Sequence, residues 1–323
     1  MADDFPKFRL EFKRYKRRNP PPDFSDVIDF DRKDSWRGRV KKCSCPFEEV
    51  DDLNIRELGL SEIKTWKCHK ILGHDGFLVI VNPFTSSGQL QWIEKSVKVY
   101  PMKPNVCNLD AHYERNDKNL WTEYEKACSS DSACAQEKTT KTLMEKLRWV
   151  TLGYHYNWNT KEYHKASYTP FPNDLSKLTT YFACALGYES FIPEAAILNY
   201  YHMNSTLSGH TDHSELDLSA PLFSLSFGQT CIFLLGGRTL DEQPCAVYLR
   251  SGDVVVMSRE SRLSYHGVPR ILENENLSTL FTDESQREPS AVKLDLKSLK
   301  KYLNHSRINI NVRQVEGPTM RFS

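Results

Sequence analysis

From residue 195 onward the chain is broken into short apolar runs by glycine-bearing turns, and this texture limits the fold more than any other feature. Residues 196–202, 222–227, 231–235, 246–250, 253–257, 263–268 and 307–315 each read as a strand. Gly228-Gln229-Thr230 and Ser251-Gly252 separate two pairs of these runs, and each pair is expected to form a hairpin. Many short strands at regular spacing call for a closed or double-sheet arrangement that hides their edges. The expected class is α+β, mainly β. Its core is a double-stranded β-helix, or jelly roll, over residues 195–315, with helices flanking it.

The chain has 323 residues, enough for a core of ordinary size. With 39% hydrophobic residues and 43 basic against 42 acidic side chains, it is not a disordered chain. No apolar run approaches the roughly 18 residues of a membrane helix. No membrane partner is therefore expected, and a monomer is. The start, Met1-Ala2-Asp3-Asp4, lacks the apolar centre of a signal peptide. Nine cysteines at irregular spacings argue against a disulfide framework and for a reducing compartment. Nucleus, cytoplasm and mitochondrion all qualify, and the Lys/Arg run near the start is compatible with the last. Cys43-Ser44-Cys45 and Cys68-His69 match no usual zinc spacing and read as plain thiols.

Residues 1–74 read as a basic helical arm followed by an irregular extension, and residues 75–323 as the main domain. Residues 1–18 carry seven Lys/Arg against three acids, with Phe8, Phe12 and Tyr15 at helical spacing on one side. Asn19-Pro20-Pro21-Pro22 stops the helix. Either the arm seeks phosphates, or it is an amphipathic helix docked by its aromatics. Residues 76–82 read as a strand. Residues 89–99, 116–147 and 291–303 read as helices, the last with Val292, Leu296, Leu299 and Leu303 on one face. Residues 273–290 read as a polar loop.

Three residues suggest a metal. His210 and Asp212 are two apart, so in extended chain they project to one side. His266, on another strand, can reach the same point. Two imidazoles and one carboxylate on one face form the facial triad of non-haem Fe(II) oxygenases, which leaves room for a chelating co-substrate and dioxygen. His213 points the other way in an extended segment. Arg307, Asn309 and Arg313, at i, i+2 and i+6, also share a face, as do Asn199 and Tyr201. Two inward guanidiniums are costly unless they meet anions, and a carboxylate is the natural bidentate partner. These five residues suit a small dicarboxylate that also chelates iron. The alternative is a set of internal Arg–Asp pairs that includes Asp212.

Residues 148–171 hold seven aromatics, Trp149, Tyr154, Tyr156, Trp158, Tyr163, Tyr168 and Phe171, interleaved with Arg148, His155, Lys161, His164 and Lys165. Stacking faces beside cations suit an extruded base and its phosphates. Candidates for substrate contact are Trp149, Tyr154, His155, Tyr156 and, further off, Trp121. The bland alternative is a hairpin packed onto the core.

The segments Leu198-Asn-Tyr-Tyr201, His210-Thr-Asp212, Ser226-Phe-Gly228, Ser251-Gly-Asp253, Ser261-Arg-Leu-Ser-Tyr-His266 and Arg307-Ile-Asn-Ile-Asn-Val-Arg313 together resemble the AlkB family of Fe(II)/2-oxoglutarate nucleic-acid dioxygenases. Lys103-Pro-Asn-Val-Cys-Asn-Leu-Asp110 and the run 147–158 are similar to the animal AlkB homolog 1 subgroup. The resemblance implies that His210, Asp212 and His266 hold Fe(II). It implies that Asn199, Tyr201, Arg307, Asn309 and Arg313 line the 2-oxoglutarate side, with Arg307 on the distal carboxylate. It implies oxidative demethylation of methylated adenine in DNA or RNA, tRNA included, with dioxygen consumed and formaldehyde, succinate and CO2 released. Some family members have a second carboxylate two residues after the metal aspartate. Here that position is Ser214, with Glu215 next. Other readings of the same site are a protein (histone) directed 2-oxoglutarate oxygenase and a catalytically silent nucleic-acid binding module. A lyase side activity would need a lysine that the sequence does not single out.

Overall fold

The computed structural model describes residues 5–47, 50, 54–115, 119–130, 141–282 and 295–317. In chain order its strands are β1 (Val40–Cys43), β2 (Lys67–Ile71), β3 (Phe77–Val81), β4 (Val106–Cys107), β5 (Trp149–Asn157), β6 (Glu162–Tyr168) and β7 (Ala195–His202). They continue with β8 (Leu207–His210), β9 (Leu222–Gly228), β10 (Thr230–Leu235), β11 (Cys245–Leu249), β12 (Val254–Met257), β13 (His266–Leu272) and β14 (Ser306–Arg313). The helices are α1 (Lys7–Lys16), α2 (Ser86–Lys98), α3 (Leu120–Ser130), α4 (Leu143–Lys146), α5 (Asn173–Ala185) and α6 (Leu296–Leu303).

The strands form a large antiparallel sheet, ordered β1-β2-β3-β12-β9-β14-β7-β5-β4 with β6 paired to β5, and a small one, ordered β11-β10-β13-β8. These are the two facing sheets of a jelly roll. Side-chain alternation explains the layering. On β14, Ile308, Ile310 and Val312 join Leu198, Tyr200, Phe223, Leu225 and Phe227 in a core covered by helical residues such as Trp92, Ile93, Leu178, Phe182, Leu299 and Leu303. The opposite face of the large sheet looks inward to the small sheet, where Leu222, Val255 and Met257 meet Phe233, Val247 and Val268.

The two expected hairpins are not hairpins. β9 pairs with β12 and β14, whereas β10 pairs with β11 and β13, so the chain changes sheet at Gly228-Gln229. It changes sheet again at Ser251-Gly252, between β11 and β12. Both strands of each pair are buried, so their sequence shows turn residues without showing which sheet each strand enters. Gly228 has φ +82°, and a Cβ there would sit 2.5 Å from the Ser306 carbonyl oxygen, which closes this corner to other residues. Residues 40–71, read as irregular, contribute β1 and β2, which extend the large sheet from β3. No break in that sheet coincides with the expected division at residues 74/75.

The helix expected over 116–147 is two helices, α3 and α4; residues 116–118 and 131–140 lie outside the described residues. So do 291–294, with Val292, and 283–290 of the polar loop. Among the described residues no helix is long and apolar enough to cross a membrane, and all eight described cysteines are unpaired.

The basic N-terminal segment docks. α1 lies on the outer face of the small sheet, where Phe8 and Tyr15 are buried with Ile232, Leu234 and Ala246. A Cβ on Gly209 or Gly236 would fall 2.4 or 2.8 Å from the Phe8 ring, so this aromatic rests directly on glycine backbone. Lys16, Arg17 and Arg18 stay exposed. Phe8→Ala is expected to cost about 3 kcal/mol in a denaturant melt, the scale of emptying a buried aromatic site. Lys16→Ala should stay within about 0.5 kcal/mol of the parent.

Candidate active site

Inward-facing residues of both sheets line a cavity of about 510 Å³, which Tyr156, Trp158 and Lys161 also line. His210 ends β8 and His266 begins β13, and the register sets them directly opposite one another. Their ring centroids are 4.3 Å apart. Asp212 stands two residues beyond β8, and one donor atom from each of the three lies within 4.8 Å of the others. His213 is exposed and outside this cluster.

The imidazoles are held for ligation. His210 Nδ1 lies 2.9 Å from the Ser208 carbonyl oxygen, and His266 Nδ1 lies 3.1 Å from that of Ser264. A carbonyl only accepts, so each Nδ1 carries a proton and each Nε2 is left on the side of the Asp212 carboxylate, 3.9 Å away in both cases. Burial, helped by His210, lowers the His266 pKa to about 4, which keeps the ring in the neutral, ligating form. Burial pushes the Asp212 carboxyl upward, but Arg313, His266 and His210 outweigh it and hold the group well below the usual carboxylate range.

The two inward arginines of β14 have different partners. Arg313 meets Asp212 Oδ2 at 3.3 Å and Glu215 Oε1 at 3.0 Å. The internal-pair alternative therefore describes Arg313. Arg307 is buried, donates from Nη2 to Ser226 Oγ at 2.8 Å, and lies with its guanidinium 5.2 Å from the Tyr201 ring centroid. Its Nε and Nη1 are buried with no acceptor among the described residues. An unpaired cation in a cavity is a receptor for an anion. Asn309 is tied to Ser224 and Leu225 through its amide nitrogen, and Asn199 and Tyr201 line the same wall.

The aromatic segment separates into two groups. Beyond Gly153, which has φ +70°, β5 leaves β7 and pairs with β6 in a hairpin exposed along most of β6. Tyr156 and Trp158 of this hairpin line the cavity, with ring centroids 4.9 Å apart. Trp149 packs on Trp158, while Tyr154 packs on Tyr168 away from the cavity. His155 is buried and bonded to Thr151. Trp121 is fully buried in the helical layer, against Tyr124 and Tyr302. His155 and Trp121 are thus core side chains and not cavity residues. An aromatic count alone cannot say which rings fill the core.

Sequence reasoning missed Arg262 and left Glu215 without a partner. Glu215 is buried, and both its oxygens face guanidiniums, Arg313 on one side and Arg262 at 3.1 Å on the other. It is therefore held in ion pairs with both guanidiniums. A Glu three residues after a metal aspartate gave a signal. Its partner, 47 positions further on, gave none.

A jelly roll with two histidines and one aspartate on a face, beside an unpaired buried arginine, is the outline of a 2-oxoglutarate-dependent iron oxygenase. The model of the 2OG-Fe(II) oxygenase superfamily matches residues 76–313. The human nucleic acid dioxygenase ALKBH1 is 40% identical over 98% of this chain and 85% of its own length. The Schizosaccharomyces pombe tRNA demethylase abh1 is 34% identical over 95% of each chain. The Arabidopsis thaliana DNA N(6)-methyladenine demethylase ALKBH1A is 33% identical over 94% of this chain and 91% of its own. The chain belongs to the AlkB family of 2OG-Fe(II) oxygenases, in its ALKBH1 subgroup. Its cofactors are Fe(II), 2-oxoglutarate and dioxygen, and the donor set and the vacant Arg307 nitrogens fit them.

Asp212→Ala is expected to remain folded and to lose at least tenfold in Mn(II) affinity, about 1.4 kcal/mol. Added Mn(II) should raise the melting temperature of the parent but not of the variant. An undiminished shift in Asp212→Ala would place the metal donors elsewhere.

Proposed function

We propose that this oxygenase removes methyl groups from adenine in DNA or RNA, N6-methyladenine in DNA and 1-methyladenosine in tRNA among them. It acts on unpaired or locally opened strands as a monomer. The observation that carries this reading is the hairpin of β5 and β6, which sets Tyr156, Trp158 and Lys161 along the cavity that holds the His-Asp-His cluster. Flat rings beside a cation suit a base already out of its stack and the phosphate next to it. The activities by which the human, plant and yeast relatives are named, all on nucleic acid, support it. Eight unpaired cysteines among the described residues suit a reducing compartment such as nucleus, cytoplasm or mitochondrion.

In this reading His210, Asp212 and His266 hold Fe(II), and Arg307 grips the distal carboxylate of 2-oxoglutarate with its two vacant nitrogens. Asn199, Tyr201 and Asn309 shape the wall around that molecule. Arg313 steadies Asp212. When bound, iron and 2-oxoglutarate would activate dioxygen, the oxidant that hydroxylates the N-methyl carbon, which is then lost as formaldehyde while 2-oxoglutarate ends as succinate and CO2. The protein contributes position and exclusion of water. Its cluster lies between the two sheets, a depth that no stacked, paired base reaches, so the base must be extruded.

Extrusion costs a few kcal/mol from a perfect duplex and much less from a bubble or loop. One methylated sequence presented as duplex, bubble and stem-loop should therefore be demethylated fastest in the latter two, as read by nucleoside mass spectrometry. Equal or faster turnover on the duplex would defeat the preference. Turnover of a methylated histone peptide with none on any nucleic acid would move the substrate to protein. Arg307→Lys keeps the charge but loses the planar fork, so half-saturation by 2-oxoglutarate should rise at least tenfold, about 1.4 kcal/mol. An unchanged value would mean that the distal carboxylate is held by another group.

A further inference from the structure

Residues 211–221 form neither helix nor strand, so no ladder of backbone bonds holds Asp212 in place. Two arginines do. Arg262 donates from Nη1 to the Asp212 carbonyl oxygen at 2.7 Å and from Nε to the Ala220 carbonyl oxygen at 3.2 Å, which pins the segment at both ends. Arg313 reaches the carboxylate itself, with Nη2 3.3 Å from Oδ2. Between the two guanidiniums stands Glu215, its side chain fully buried, with Oε2 3.1 Å from Arg262 Nη2 and Oε1 3.0 Å from Arg313 Nη1.

We infer that Glu215 is a positioning residue that keeps Asp212 available to the metal by restraining Arg262 and Arg313. The charges make the case. Two buried arginines, the buried Glu215 and the half-buried Asp212 balance in charge. Remove the Glu215 charge and Arg313 has one acidic partner left, Asp212, on which it closes more tightly. A guanidinium and a divalent ion then compete for the same oxygens. Arg262 becomes a buried cation without a counter-ion, a costly arrangement that loosens its hold on the Asp212 main chain. Glu215 touches neither substrate nor co-substrate in this role. It sets the direction in which a metal ligand points, as outer partners of metal ligands commonly do.

The inference rests on the reading of His210, Asp212 and His266 as the iron site, and the test separates the two. Metal-free Glu215→Gln and Glu215→Asp are titrated with Mn(II), free ion being read by electron paramagnetic resonance, and their melting temperatures are recorded in parallel. Glu215→Gln should bind Mn(II) at least tenfold more weakly than the parent, and Glu215→Asp should recover part of the loss. Mn(II) affinity within twofold of the parent in Glu215→Gln, whatever its melting temperature, would overturn the inference and leave Glu215 a structural residue. Undiminished Mn(II) affinity in Asp212→Ala would instead show that the site reading itself had failed. Should Glu215→Gln not fold, the double variant Glu215→Leu/Arg262→Met replaces the buried pair by apolar side chains of similar volume. It should fold and still bind Mn(II) weakly. Parental affinity in that protein, or failure of both variants to fold, would also overturn the inference.

Discussion

Alternation along β14 is the constraint on which the rest of the molecule depends. Its odd-numbered residues from Arg307 to Arg313 face the cavity, and Ile308, Ile310 and Val312 face the helices. The strand is clamped on both sides, by β7 and by β9, in continuous antiparallel register. A slip of one residue would put two guanidiniums and two amides into the helical core and three β-branched side chains into the cavity. The energy lost on both faces makes the register unambiguous. The same clamp fixes Asn199 opposite Asn309 and Tyr201 opposite Arg307, so this wall of the cavity is assembled by the pairing that stabilises the fold.

With register fixed, electrostatics divides the labour between the two arginines. They are six residues apart on one face, and strand periodicity alone treats them alike. In the structure Arg313 lies among Asp212, Glu215 and Tyr163, while Arg307 lies over Tyr201 with two nitrogens unanswered. Burying an unpaired guanidinium is among the more expensive things a fold can do, and it persists where a ligand anion completes it. Arg307 is the guanidinium with that unmet need. Arg313 steadies the aspartate beside it.

The His-x-Asp pair and the polar face of β14 were legible because each follows the spacing of two of an extended chain, whereas the distant histidine has no such spacing to the pair. The co-strand facing of His210 and His266 was not legible. It depends on β8 and β13 being neighbours in the small sheet, a fact of topology. Both misread hairpins fail for the same reason: glycine at a corner looks the same whether the chain folds back on its own sheet or crosses to the other. β1 and β2, the last two strands at one end of the large sheet, escaped notice because strands rich in lysine carry little alternation. Trp121 and His155 misled because residue type signals a ring and not its direction. Arg262 was hidden in a motif, and only the fold brings it against Glu215.

The outer layer joins these threads. α1 covers β13 and β8, the two strands that carry the histidines, and Phe8 lies against Gly209, the neighbour of His210. The residue that anchors the arm therefore packs on the backbone next to a metal-ligand candidate. Past the helix, Arg18 donates to the Met203 carbonyl oxygen at 2.5 Å and Arg270 donates to that of Arg17 at 2.7 Å, so the exposed end of the arm is tied down beside the chain that leads into β8. The two readings of the arm, docked helix and cationic surface, describe opposite faces of one element. The aromatic face spends its apolar area on the small sheet. The basic face is left in water because no acidic partner in the described structure draws Lys16, Arg17 or Arg18 into an ion pair.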